Sequence, residues 1–130
     1  MQRAILCVDD EKSILNGLQQ QITRFFGDEF LLEFAQSVDE ALEVMDDFHD
    51  TQITVALVIT DQMMPGKTGS DLIRHLNQAY PLTKCVLLTG YTENEVIDSL
   101  NTANLFSCLN KPWEMSELME LIHRCVKEVH

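Results

Sequence analysis

Acidic, hydroxyl and basic residues recur at one kind of place in this 130-residue chain, at the end of a short apolar run. Asp9, Asp10 and Glu11 follow the run at 4–8, and Asp61 ends the run around 55–59. Thr89-Gly90 follows 85–88, and Lys111-Pro112 closes 105–109. Three carboxylates at one crevice repel unless a cation joins them, and hard oxygen ligands of this kind suit Mg²⁺. A lysine and a hydroxyl beside them can bind an anionic group that the metal also touches. Together they hold what phosphoryl transfer to a carboxylate needs. The metal neutralises charge, the carboxylate attacks, and lysine and threonine hold the equatorial oxygens.

Each element taken alone has an ordinary reading. Asp9, Asp10 and Glu11 could be acidic residues at a helix start, where capping and the dipole favour them. Asp61 could be a turn residue before Met63-Met64-Pro65-Gly66, Thr89-Gly90 plain turn chemistry, and Lys111 one more solvated lysine. What separates the readings is whether the fold puts these residues at one edge.

The elements that must position them alternate in period. The apolar runs at 4–8, 30–35, 55–59, 85–88 and 105–109 have strand length and strand composition. Most are too continuously apolar for a sheet with one wet face. Between them lie helical patterns. Ile14, Leu18, Ile22 and Phe25 step by three and four; Ala41, Leu42 and Met45 do so within 38–48, and Leu72, Ile73 and Leu76 within 70–80. Residues 93–101 give a weaker pattern, and Leu118, Ile122, Cys125 and Val129 a clean stripe. Strict β–α alternation, five times over, implies an α/β fold of three layers with right-handed crossovers. The expected sheet has five parallel strands in the flavodoxin-like order 2-1-3-4-5, within a single domain over 1–130. In such sheets ligands bind outside the carboxyl ends of the strands, where strand order reverses. Strands one and three are neighbours in that order, which brings Asp9, Asp10 and Asp61 together, with Thr89 and Lys111 from the adjoining strands.

Composition narrows the function classes. Nine Lys and Arg against twenty-one Asp and Glu give a net charge of −12, which argues against direct nucleic-acid binding. No apolar run approaches membrane-spanning length, and the expected setting is cytoplasmic. Cys7, Cys85, Cys108 and Cys125 are scattered, with no Cys-x-x-Cys pair. They read as reduced thiols rather than disulfides, a zinc site or a nucleophile. Gly66-Lys67-Thr68 looks like the end of a P-loop, but that motif needs a glycine five residues before Gly66, where Asp61 stands.

Four stretches now name a family. Ile5–Glu11 reads as Ile-Leu-Cys-Val-Asp-Asp-Glu, and 58–66 as Val-Ile-Thr-Asp-Gln-Met-Met-Pro-Gly, with Gly69 following. The others are Leu87-Leu88-Thr89-Gly90-Tyr91 and Lys111-Pro112-Trp113. In that order and spacing the chain resembles the receiver domain of bacterial two-component response regulators over essentially its whole length. The resemblance implies that Asp61 accepts a phosphoryl group from a phosphohistidine on a sensor histidine kinase or phosphotransfer protein. It further implies that Asp10, Asp61 and the Met63 backbone carbonyl ligate Mg²⁺, with Asp9 acting through water. Thr89 and Lys111 would contact the phosphoryl oxygens, helped by the Gly90 amide, and the bond before Pro112 would be cis. Such a domain catalyses only its own phosphorylation and dephosphorylation. Its face of fourth helix, fifth strand and last helix then rearranges toward a downstream output protein or domain. Monomer and homodimer both occur in the family.

One position departs from the pattern. The family's switch aromatic lies three residues before the lysine, and Cys108 stands there. By strict strand alternation Phe106 points to the same side as Cys108 and is a candidate substitute. Met63 and Tyr91, two residues past Asp61 and Thr89, are candidate tuners of acylphosphate lifetime. Two other readings stay in view. An aspartate-nucleophile Mg²⁺-dependent phosphatase would want a second acid where Met63 stands. A receiver-shaped interaction module without phosphate regulation would not need the full acidic, Thr and Lys set.

Overall fold

A computed structural model describes residues 2–90, 100 and 102–128. Tyr91 and all but residue 100 of the helical pattern at 93–101 lie outside the described residues. Long apolar runs without a polar alternate cannot leave a sheet face wet, and the chain obeys that constraint. Strands β1 (Arg3–Val8), β2 (Leu31–Ala35), β3 (Thr54–Asp61), β4 (Lys84–Thr89) and β5 (Leu105–Asn110) pair in parallel, in the order β2-β1-β3-β4-β5. The described helices are α1 (Lys12–Phe26), α2 (Val38–Asp50), α3 (Gly69–Ala79) and α4 (Met115–Glu128). The expected fold class and strand order are those observed, and the strands run one or two residues past most of the apolar runs.

Two apolar layers hold the sheet between the helices. On one side Leu15, Leu18 and Ile22 of α1 and Leu118, Leu121, Ile122 and Cys125 of α4 bury against Ile5, Cys7, Ile59 and Leu88. On the other, Ala41 and Met45 of α2 and Leu72, Ile73 and Leu76 of α3 bury against Leu6, Val8, Val58 and Leu87. Each fully buried aliphatic side chain contributes about 1.5–3 kcal/mol, so both layers resist displacement of the strand ends that carry the polar residues. Helices α2 and α3 start where side chains satisfy free N–H groups. Ser37 Oγ accepts from Glu40 N–H at 3.1 Å, and Thr68 and Asp71 form a reciprocal capping box on α3.

The strands depart from regular pairing twice. Ala4 and Ile5 of β1 face Val55 and Leu57, passing over Ala56, and Cys85 and Val86 of β4 face Leu105 and Ser107, passing over Phe106. The second bulge corrects the expectation for Phe106. Its extra residue breaks the two-residue alternation, so Phe106 packs with the α1/α4 layer while Cys108 packs with the α2/α3 layer. Phe106 therefore does not share Cys108's side of the sheet. Its ring instead lies under the Arg124 guanidinium of α4, 6.0 Å from the centroid.

Candidate functional site

The carboxyl ends of β1 and β3 are adjacent because Val8 pairs with Thr60. The next residue on each strand is then Asp9 or Asp61. Both are buried, at 1% and 5% exposure, whereas Asp10 is exposed. One carboxylate oxygen from each of Asp9, Asp10 and Asp61 lies within 4.8 Å of the others. At an effective dielectric constant of about 20, each ionised pair at that separation repels by about 3 kcal/mol. A positive charge relieves that repulsion, and part of it comes from the protein.

Lys111 supplies it. It follows the end of β5, and its N–H donates to the Thr89 carbonyl at 2.8 Å, which stitches the β5 end to β4. Its Nζ lies 2.8 Å from Asp61 Oδ1 and 3.6 Å from Asp9 Oδ2. The Lys111-Pro112 peptide bond is cis, as the resemblance implied. Burial acts first on the Lys111 ammonium and in the downward direction. The Asp61 hydrogen bond and the charges of Asp61, Asp9 and Glu11 outweigh it and hold the ammonium above its usual range. For Asp9, burial is the largest influence and pushes the carboxyl up. The Glu11 N–H bond and Lys111 oppose that push, while the Asp61 and Asp10 charges add to it. Asp9 Oδ1 accepts the Glu11 N–H at 2.9 Å, but Oδ2 is buried with no hydrogen-bond partner.

Thr89 ends β4, fully buried, one residue past Leu88, which pairs with Asp61. Gly90 follows it and is exposed. The structure thus brings Asp9, Asp10, Asp61, Thr89 and Lys111 to one edge. Met63 follows in the loop after β3, 57% exposed, and Met64 beside it is buried. Tyr91 lies outside the described residues.

Two residues gain a role that their type did not announce. A Cβ on Gly69 would lie 2.3 Å from the Asp61 carbonyl oxygen and 2.9 Å from Leu87 Cδ1, so α3 presses against the Asp61 peptide where only glycine fits. Gln62 closes the same loop. Its carbonyl accepts from Gly69 N–H at 3.0 Å, and its side-chain Oε1 accepts from Ser70 N–H at 2.8 Å and Ser70 Oγ–H at 2.9 Å. The family motif contained Gly69; nothing in the residue type of Gln62 marked it, since glutamine is not a preferred helix cap.

Known proteins share the chain's sequence pattern and fold. The family profile described as response regulator receiver domain matches residues 5–123. Among curated relatives, the hydrogenase transcriptional regulatory protein HoxA of Cupriavidus necator is 28% identical over 127 residues, covering 97% of this chain and 24% of HoxA. The chain thus spans about a quarter of that relative's length. Among solved structures, the signal receiver domain of an HD domain-containing protein from Pseudomonas fluorescens Pf-5 is 29% identical with a TM-score of 0.83, covering 99% of this chain and 90% of that one. A CheY-like response regulator receiver domain protein from Methanospirillum hungatei is 28% identical with a TM-score of 0.82, covering 98% and 95%.

Proposed function

This chain belongs to the response regulator receiver domain family, and from that premise we propose that it is a phosphorylation-driven switch with Asp61 as phosphoacceptor. The observation that carries the reading is the trio of Asp9, Asp10 and Asp61 at one strand edge, with Lys111 Nζ 2.8 Å from Asp61. The residues fit a hard divalent cation. Three carboxylates converge, and Asp9 Oδ2 is buried without a hydrogen-bond partner. Asp10, Asp61 and the Met63 carbonyl would hold Mg²⁺ directly and Asp9 through water. When bound, the ion would neutralise charge on the carboxylates and on the incoming phosphoryl group.

The chain's own groups do the rest. An Asp61 carboxylate oxygen attacks the phosphorus of a phosphohistidine on a kinase or phosphotransfer partner. The P–N bond breaks and its electron pair returns to the imidazole nitrogen. Lys111 turns its ammonium from the carboxylate toward a phosphoryl oxygen, and the Thr89 hydroxyl, helped by the Gly90 amide, takes another. Phosphorylation adds roughly −1.5 to −2 charges and three strong acceptors at a buried edge. That change alters the surface around β5 and α4, which an output partner reads. HoxA is named as a transcriptional regulator; for this chain an output of that kind would reside in a further domain or in a separate protein. Met63, exposed beside the site, would tune hydrolysis of the acylphosphate.

The test is intact mass after incubation with Mg²⁺ and acetyl phosphate, with Trp113 fluorescence followed in parallel. Trp113 packs against the α1/α4 layer two residues past Lys111 and is the sole tryptophan. The expected result is a Mg²⁺-dependent gain of one phosphoryl group that Asp61→Asn abolishes. No gain with acetyl phosphate or a phosphohistidine donor would leave the chain an interaction module without phosphate regulation.

A further inference from the structure

We infer that Gln62 is a positioning residue for the metal and phosphoryl site, an assignment that rests on the proposed function. Its N–H donates to the Leu88 carbonyl at 2.9 Å, which ties the end of β3 to β4. Its carbonyl takes the Gly69 N–H, and its side-chain oxygen takes both the N–H and the hydroxyl of buried Ser70. One residue therefore fastens both ends of the loop 62–70, and that loop carries Met63 next to the phosphoacceptor.

The clamp also completes the start of α3. Gly69 N–H bonds the Gln62 carbonyl, Ser70 N–H bonds Gln62 Oε1, and Asp71 N–H bonds Thr68 Oγ1. The first three helical N–H groups, ordinarily unpartnered within a helix, are each satisfied, two of them by Gln62. Removing Oε1 strands the Ser70 N–H and hydroxyl, and leaving buried polar groups unpaired is what moves a helix terminus. The terminus has little room to move without disturbing Asp61. The Gly69 Cα already sits so close that an added Cβ would reach 2.3 Å from the Asp61 carbonyl oxygen. Mg²⁺ demands near-ideal octahedral geometry at about 2.0–2.1 Å, so small shifts of the Met63 carbonyl and the Asp61 carboxylate register as lost affinity. Partners that orient metal ligands typically matter by about 10–100-fold in metal affinity.

Mg²⁺ titration of the full chain, read by Trp113 fluorescence and by calorimetry, separates this role from plain helix capping. Gln62→Met keeps the shape and loses the acceptor; it should raise the Mg²⁺ Kd about 10-fold. Gln62→Glu keeps an acceptor and should stay within about 3-fold of wild type. Ser70→Ala removes one of the bonds, and about 3-fold weakening is expected even if Gln62→Met fails to fold. A wild-type chain that binds Mg²⁺ while Gln62→Met or Ser70→Ala binds it equally well, with only a lower thermal midpoint, reduces Gln62 to a cap. Equal weakening in Gln62→Met and Gln62→Glu also overturns the assignment. A wild-type chain without any Mg²⁺ response overturns the site reading itself and takes this assignment with it.

Discussion

Asp61 does not stand as a lone carboxylate, because Lys111 holds it at 2.8 Å and shares its charge with Asp9. Removing the ammonium leaves two buried carboxylates facing each other. For a fully buried pair that typically costs about 3–5 kcal/mol. Lys111 is about a quarter exposed, with 27% of its side chain in solvent, which screens part of the effect and leaves about 2 kcal/mol for Lys111→Met. The divalent cation proposed for this site would replace the lost charge. The urea midpoint of Lys111→Met should therefore fall markedly in chelator and recover with Mg²⁺; an equal loss in both conditions would count against a shared charge. Gly69 sets a steric limit beside the same residue. Gly69→Ala should lower stability by about 2 kcal/mol and weaken Mg²⁺ binding, because the methyl must displace either the Asp61 peptide or Leu87.

At the level of elements, β5 is the strand through which the proposed switch would carry a charge placed at Asp61. Cys108 lies on the α2/α3 side of the sheet and Phe106 on the α1/α4 side, separated by the bulge. Cys108→Tyr should accordingly change the affinity of an output partner while leaving acylphosphate formation at the wild-type rate, measured by intact mass. Loss of phosphorylation in that variant would join two steps that the geometry keeps apart. Phe106→Ala should cost about 1–2 kcal/mol in packing and its Arg124 contact, with the phosphorylation rate again unchanged. This strand also marks what sequence can reveal. The five strands were readable because a sheet covered on both faces demands continuous apolar runs. The meeting of Asp9, Asp61, Thr89 and Lys111 at one edge was readable because each stands at or just past the end of one of those runs. The bulge was not, since a slip of pairing at Phe106 depends on how β4 and β5 meet and leaves no mark in residue type. Gln62 was hidden for a related reason: its partner Ser70 lies eight residues away, and only the closed loop brings them together.

Across the whole molecule, the acidic surface and the sulfur-containing core contribute to stability in different ways. Exposed Asp39, Glu40, Glu43, Asp46, Asp47 and Asp50 crowd α2, and its tie to the β3–α3 loop is the exposed Lys67–Asp39 pair at 2.8 Å, which contributes little in solvent. The core, by contrast, holds Cys7 and Cys85 with no exposure, and burial pushes both thiols from 9.0 up to about 12. A thiol is neutral when protonated, so burial leaves stability intact below pH 9. Above it the unfolded chain releases the proton and the folded chain does not, and stability falls until the folded value near 12 is reached. At about 1.4 kcal/mol per pH unit per thiol, these two groups should remove about 3 kcal/mol between pH 8 and pH 10. Other groups also titrate there, including Tyr80, whose hydroxyl donates to Asp46 and is likewise pushed up to about 12. The informative quantity is therefore a difference of slopes. Cys7→Ala lowers stability at every pH by opening a cavity, yet it should lose about 1.4 kcal/mol less than wild type between pH 8 and pH 10 in urea unfolding. Parallel curves for the two chains would mean that the Cys7 thiol ionises as readily in the folded core as in the open chain.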